Sequence, residues 1–409
     1  MIAPSSYGAL SATSANTIQG RAPTVQNSGL GFEVNGESFS VALGNIDPNV
    51  AKAFDAGLSL SHFTAMDLTN ADYYDADGDV ARSTAPLTVG TKSIKWYKSN
   101  GTEITDLTQQ LGCGSNLGSV LTLKIKMQNI QVHSEHGDPR DNSLTALEQS
   151  YKIAASQGIC YVRPGSLKWI NSGTGATRSP TQGGGYTADF DPAKGFKANP
   201  TVSAKKFPTT GFPNARFQLK MTGRQTDWNY TVPTHPNSVV SVDTNGWVTI
   251  KSRPTSLVKV RATSKTSPST HFDYTFNPTS LWVVPEERDW TYANAITKCR
   301  VESKIVSREQ LSNSPFSRLP AGGTWISNFH TRAIGKLDIG GGAQPMKESI
   351  FSEWGYPNSS DYPGSLWVTD SYWTREAYSS DRQFVVRSYT GAVNWRYHSD
   401  FNTYVACLG

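Results

Sequence analysis

The stretch Val239-Val-Ser-Val-Asp-Thr-Asn-Gly-Trp-Val-Thr-Ile250 decides the fold class. β-Branched residues fill both halves, and Asn245-Gly246 between them supplies the positive-φ turn that a β-hairpin needs. Outward from this hairpin the same alternation of apolar and polar residues returns. It runs through Val120-Leu-Thr-Leu-Lys-Ile-Lys-Met127, Ala215-Arg-Phe-Gln-Leu-Lys-Met221, Val258-Lys-Val-Arg-Ala262 and Phe272-Asp-Tyr-Thr-Phe276. Each run is bounded by Gly, Pro, Asn or Ser. Period-two alternation reads as half-buried strands, and short strands separated by turns are what a β-sandwich requires. Helix-period patterning is rare, so a mainly β chain is expected.

A chain of 409 residues exceeds one ordinary core, and at ~150 residues per domain three domains are expected. With eleven Trp and seventeen Tyr and only 17% charged residues, a folded and not a disordered chain is expected. The formal charge of +5 is mild and its Lys and Arg form no run that would follow a phosphate backbone, so no nucleic-acid partner is expected. Met1 to Gly20 contain no apolar export segment, and no later stretch approaches the ~18 apolar residues of a membrane helix. Membrane insertion by this chain is not expected, and neither is a cofactor.

Four cysteines fall into two local sets, Cys113 with Cys160 and Cys299 with Cys407, and none shows CxxC spacing. Two intradomain disulfides are the simplest reading, although four cysteines permit three connectivities. Disulfides imply an oxidising, extracytoplasmic setting.

Residues 1–22 read as an extension. A first immunoglobulin-like β-sandwich is expected over 23–190, holding Cys113 and Cys160. Within it Ile94-Lys-Trp-Tyr-Lys-Ser-Asn-Gly-Thr-Glu-Ile104 reads as a central strand, a tight turn and a second strand, with Trp96 in the core. Upstream, Asp75, Asp77 and Asp79 alternate around Gly78 as calcium ligands could. The terminal bidentate Glu of the twelve-residue loop is missing, so a polar turn is preferred over a metal site. The Gly-rich segment Leu167 to Asn199 reads as a boundary loop; no Gly-Lys-Ser/Thr follows its glycines to make a phosphate loop.

A second sandwich is expected over 191–280. Its Trp228, Val-Ser-Val-Asp strand, Gly-x-Val-Thr and later Val-x-Val-x-Ala are similar to bacterial immunoglobulin-like repeats of surface adhesins. The remaining 281–409 opens on a helical stretch, Trp290-Thr-Tyr-Ala-Asn-Ala-Ile-Thr-Lys-Cys299, with Asp289 as the expected cap. It continues through Ser307-Arg-Glu-Gln-Leu311, Phe351-Ser-Glu-Trp-Gly355, Tyr362-Pro363, Tyr372-Trp-Thr-Arg-Glu376 and Tyr404-Val-Ala-Cys407. This ordered series resembles the terminal domain of intimin/invasin-type bacterial adhesins.

That resemblance implies an α+β C-type-lectin-like domain closed by Cys299 and Cys407, at the tip of a monomeric rod of two immunoglobulin-like modules. It implies binding to a host cell-surface protein receptor. It also implies an extracellular place, on the bacterial surface through an outer-membrane anchor outside this chain or as a secreted relative. The calcium-binding triplets of true C-type lectins are missing: Gln344-Pro345-Met346 lacks the final carboxylate, and Asn394-Trp395-Arg396 stands where Trp-Asn-Asp would complete the site. Calcium-shared sugar binding therefore lacks its oxygen ligands, and protein recognition is preferred. A secreted carbohydrate-binding or carbohydrate-active protein is the alternative.

Interfaces favour Trp, Tyr and Arg because these bury large area at small rotamer cost. Two aromatic, charged, breaker-rich segments combine them, around Asp361 and Tyr362 and around Trp395, Arg396 and Tyr397. These five are the expected receptor contacts, whereas Trp354, Trp367, Trp373 and Tyr404 read as core. No catalytic residues are assigned. His133 and His136 with Glu135 and Asp138 sit in a loop-like run that would not aim both rings at one metal. Asp338, Glu348 and Glu353 have no local glycosidase signature, and no Gly-x-Ser-x-Gly elbow is present.

Overall fold

The structure, a computed structural model, describes residues 20–113, 117, 120–167, 185–314, 317–318, 325–326, 331–334 and 349–409. Among the described residues the protein is mainly β, with 41% strand and 9% helix, and its sheets are immunoglobulin-like. Two compact units emerge: one runs to Leu111 and resumes over Leu117–Ala155, the other takes Gly112–Asn116 and Ser156–Gly409.

In the first unit three long antiparallel strands, Leu87–Tyr97, Val120–His133 and Asp141–Ala155, form the centre of a five-stranded sheet. Along Val120–His133 the buried Leu121, Leu123, Ile125 and Met127 alternate with half-buried Thr122, Lys124 and Lys126, the pleat that period two demands. The inward side chains join a core of Phe32, Phe39, Phe63 and Trp96. Trp96 is fully buried, edge-on to Phe63 at 5.0 Å. Its strand turns at Gly101, φ +84°, and returns as Glu103–Ile104.

The second unit contains a six-stranded sheet. Phe190–Asp191, Gly195–Lys197, Ile159–Pro164, Ala215–Met221, Trp247–Ile250 and Val240–Val242 lie side by side in that order. A three-stranded sheet of Trp228–Thr231, Val258–Ser264 and His271–Phe276 shares its core. The expected hairpin over Val239 to Ile250 is present, with Gly246 at φ +79° and the Asp243 carboxylate accepting from the Asn245 and Trp247 amides.

The expected boundary at 190/191 is displaced. Ile159–Pro164 pairs with Ala215–Met221 and with Gly195–Lys197, so the chain enters this unit at Ser156. The Cys113–Cys160 disulfide, Cα atoms 5.5 Å apart, lies in the second unit because Gly112–Asn116 cluster with it.

The rest of the second unit is α+β. Helix α1 (Tyr292–Lys298) is capped by Thr291, whose hydroxyl accepts from the Asn294 amide, and not by Asp289. Helix α2 (Arg308–Leu311) starts with a reciprocal Ser307–Gln310 capping box, and α3 (Ile350–Trp354) is buried throughout. Leu281–Pro285 pairs with Thr210–Gly211 on one side and with the C-terminal Ala406–Leu408 on the other. Cys407 in that last strand is bonded to Cys299 at the end of α1, with Cα atoms 5.4 Å apart.

The core is continuous from sandwich to α+β part. Trp354 packs on Phe207 at 4.9 Å and Phe212 at 5.3 Å. Beside it the fully buried Glu353 carboxylate accepts from the amides and the hydroxyls of both Thr209 and Thr210. Burial pushes this carboxyl up to about 7 against the lowering effect of those hydrogen bonds. Arg332, also fully buried, donates to the Ser166 and Glu353 carbonyls and stacks over Phe190 at 4.7 Å. Burial lowers its guanidinium to about 10.

Candidate receptor-binding surface

Three antiparallel strands, Ser371–Ser379, Arg382–Arg387 and Val393–Tyr397, carry the surface. One face of this sheet is closed: Trp373 and Val385 pack with Tyr292 and Ala295 of α1 and with Ile305 and Val405. Gln383 on the same face links Tyr292 to His398, since its amide donates to the Tyr292 hydroxyl at 2.7 Å and its oxygen lies 3.1 Å from His398 Nε2.

The opposite face runs from core into solvent. Tyr372, Val386 and Val393 are buried in the main core. Register then pairs Phe384 with Trp395 and Arg382 with Tyr397, one step further out. Tyr378 lies parallel to Trp395, ring centroids 5.6 Å apart, and Tyr397 meets the indole edge-on at 5.5 Å. The Arg382 guanidinium covers both rings, 4.4 Å from Trp395 and 4.7 Å from Tyr397, and Nη2 donates to the Tyr397 hydroxyl at 2.9 Å. Tyr378 and Tyr397 are each 41% exposed and nearby Phe401 is 68% exposed, so this cluster offers large apolar area with a fixed cation and hydroxyl tips. Such pre-ordered aromatic–arginine groups lose little side-chain freedom when a partner covers them.

The five expected contacts separate. Trp395 and Tyr397 belong to the cluster. Arg396 alternates to the other face, opposite Gln383. Asp361 is half-buried in a turn; its carboxylate accepts from Asn358 Nδ2 at 2.9 Å and its carbonyl from Arg216 Nε at 2.8 Å. Among the described residues no hydrogen bond or ring contact joins it to Trp395 or Tyr397. Tyr362 is corrected to core: it has no exposed surface, stacks edge-on against Phe212 at 5.3 Å, accepts from the Ser166 amide and donates to the Trp354 carbonyl. Trp354, Trp367 and Trp373 are buried, and Tyr404 is partly so. Tyr378 and Arg382 were missed by sequence reading. Their signal was the hairpin Tyr378-Ser-Ser-Asp-Arg382, whose return strand sets Arg382 opposite Tyr397.

Asp75, Asp77 and Asp79 do not converge. Asp75 accepts from the Asp77 amide at 2.8 Å, Asp77 from the Arg21 amide, and the Asp79 carboxylate sits beside Gly137. Among the described residues no three His, Cys, Asp or Glu gather as a metal set. His133 is instead paired to Asp141 through Nδ1 at 2.5 Å. Glu353 is buried at the Thr209–Thr210 backbone, while Asp338, Glu348 and Gln344-Pro345-Met346 lie outside the described residues. Among those residues no helix is long and apolar enough to cross a membrane.

Residues 194–276 match the family model of invasin domain 4. No curated protein is matched. Among solved structures, the crystal structure of invasin, described as a bacterial integrin-binding protein, shares 18% identity over 79% of this chain at TM-score 0.38. The chain spans 58% of that invasin's length. An EHEC O157:H7 intimin mutant shares 16% identity at TM-score 0.33, and intimin in its complex with Tir90 shares 16% at 0.34; each covers 50% of this chain and 89% of the intimin. Residues 194–276 are thus similar to a module of the intimin/invasin type of adhesin.

Proposed function

We propose that the chain is the exposed portion of a bacterial surface adhesin that binds a host cell-surface protein through its C-terminal α+β part. The sandwiches over about 20–155 and 156–280 serve as spacer, and 281–409 is the binding module. The observation that carries this reading is the solvent-facing Tyr378–Trp395–Tyr397 cluster with Arg382 laid across it. The invasin domain 4 match immediately before the module supports it, as does the Cys-bounded motif series within it.

The test is attachment of the full chain to host cells, read by flow cytometry. Trp395→Ala is expected to lower affinity about 30-fold, the effect of a central interface anchor, with little change in thermal stability because the ring is only half-buried. Undiminished attachment by a folded Trp395→Ala protein overturns the assignment of this surface. Chelation gives a second readout. Attachment in EDTA is expected to equal that in calcium, since the lectin triplets are missing from the sequence. Chelator-sensitive binding to a glycan array would instead support carbohydrate recognition.

A further inference from the structure

The six-stranded sheet has a second face. Val162, Phe196, Phe217, Leu219 and Val248 point into the core, so their neighbours along each strand point away from it. Register then sets Lys197, Tyr161 and Lys220 in one row across three strands, with Arg163 and Gln218 in the next row beside Trp247. Arg216 lies one step further along its strand, and Lys194 reaches over from the adjoining turn with Nζ 5.5 Å from the Tyr161 ring. Five cations thus collect on one face from strands far apart in sequence.

Little opposes them. Asp191 sits 3.8 Å from Lys194. Among the described residues Arg163, Lys197 and Lys220 have no carboxylate at ion-pair distance. Burial first, and the neighbouring Arg163 charge second, hold Lys220 below the usual lysine range. A concentrated single-sign field of this kind attracts an anionic ligand.

We propose that this face binds an extended sulfated polysaccharide, with Arg163, Lys197 and Lys220 as the principal contacts. Strands lie ~4.8 Å apart, so Lys197 and Lys220, two strands apart, offer ammonium groups at a separation of ~10 Å to a chain laid across the strands. The cationic side chains are half-buried between aromatic neighbours. A thin chain reaches them, whereas a planar membrane surface meets projecting groups better. Stacking of nucleic-acid bases needs open ring faces. Here Tyr161 is 7% exposed and Arg216 lies over Trp247 at 4.7 Å, which favours sulfate groups over bases.

The experiment measures heparin binding to the full oxidised chain by surface plasmon resonance, over a range of salt. The wild type is expected to bind with an affinity that falls steeply with salt. Arg163→Gln/Lys220→Gln is expected to weaken binding roughly tenfold or more. Lys265→Gln/Lys304→Gln, which removes equal charge from exposed positions elsewhere, should change it less than about twofold. Lys197→Gln, with the Arg163 and Lys220 positions intact, should give a smaller loss in the same direction and guards against misfolding of the double variant. Absence of heparin binding, equal losses in the two double variants, or tighter binding of duplex DNA or phosphatidylserine vesicles through the same residues overturns the proposal.

Discussion

Replacing Cys299 and Cys407 together by serine is expected to lower the unfolding free energy by about 4.7 kcal/mol, the chain-entropy value for a loop of this size. The bridge spans 108 residues of sequence and ties the end of α1 to the last strand. All four residues of the surface cluster, Tyr378, Arg382, Trp395 and Tyr397, lie inside that loop. Cys299 is buried in the small core with Trp373, Val385 and Val405, so the sheet carrying the cluster is backed by side chains that the bridge holds together. Cys113–Cys160, with a separation of 47, should contribute about 4 kcal/mol by the same relation. Urea unfolding of the oxidised wild type and the double-serine variant checks this. A loss below about 1 kcal/mol would show that the bridge merely decorates a region already closed by Val284 pairing with Cys407. Reduction of the bridge should also depress host-cell attachment once the module loosens.

What the sequence disclosed followed the range of the interactions concerned. The hairpin Val239 to Ile250 and the strand Val120 to Met127 were legible because alternation and turn chemistry are local. Trp96 was legible as core for the same reason. The end of the first sandwich was not, because Ile159–Pro164 acquires its partners from residues 195–197 and 215–221, and nothing in its own sequence says which sheet it joins. Tyr362 misled because Pro, Gly, Asn and Ser surround it as in a loop, yet its ring fills the space beside Phe212 and Trp354. Half of the candidate surface was visible in Trp395 and Tyr397; the other half, Tyr378 and Arg382, depends on cross-strand register. The basic face was invisible for the same reason: Arg163, Lys197 and Lys220 form no run, and only pairing brings them together.

Glu353 gives the other large effect, and its sign runs opposite to that of an ordinary ion-paired carboxylate. Its side chain has no exposed surface and sits where α3 meets Thr209 and Thr210 of the sandwich. The folded carboxyl titrates at about 7 against 4.5 for the free group, burial being the cause. Below pH 4.5 both folded and unfolded chains hold the proton, and its contribution to stability is complete. Between about pH 4.5 and 7 the unfolded chain has released the proton while the folded one retains it, so stability falls as pH rises, by roughly 3 kcal/mol over the window. Glu353→Gln should abolish that slope. It also places an amide NH2 against the Thr209 and Thr210 N–H donors, so at pH 4.5 the variant is expected to be about 1–3 kcal/mol less stable than wild type, with the gap narrowing as pH rises. Glu353→Ala leaves two amides and two hydroxyls without their acceptor and should cost more, roughly 3 kcal/mol or above. Urea unfolding of the three proteins at pH 4.5, 5.5 and 7 separates these expectations. If wild type and Glu353→Gln show parallel pH profiles, the carboxyl is already ionised in the folded chain, and its hydrogen bonds from Thr209 and Thr210 outweigh its burial.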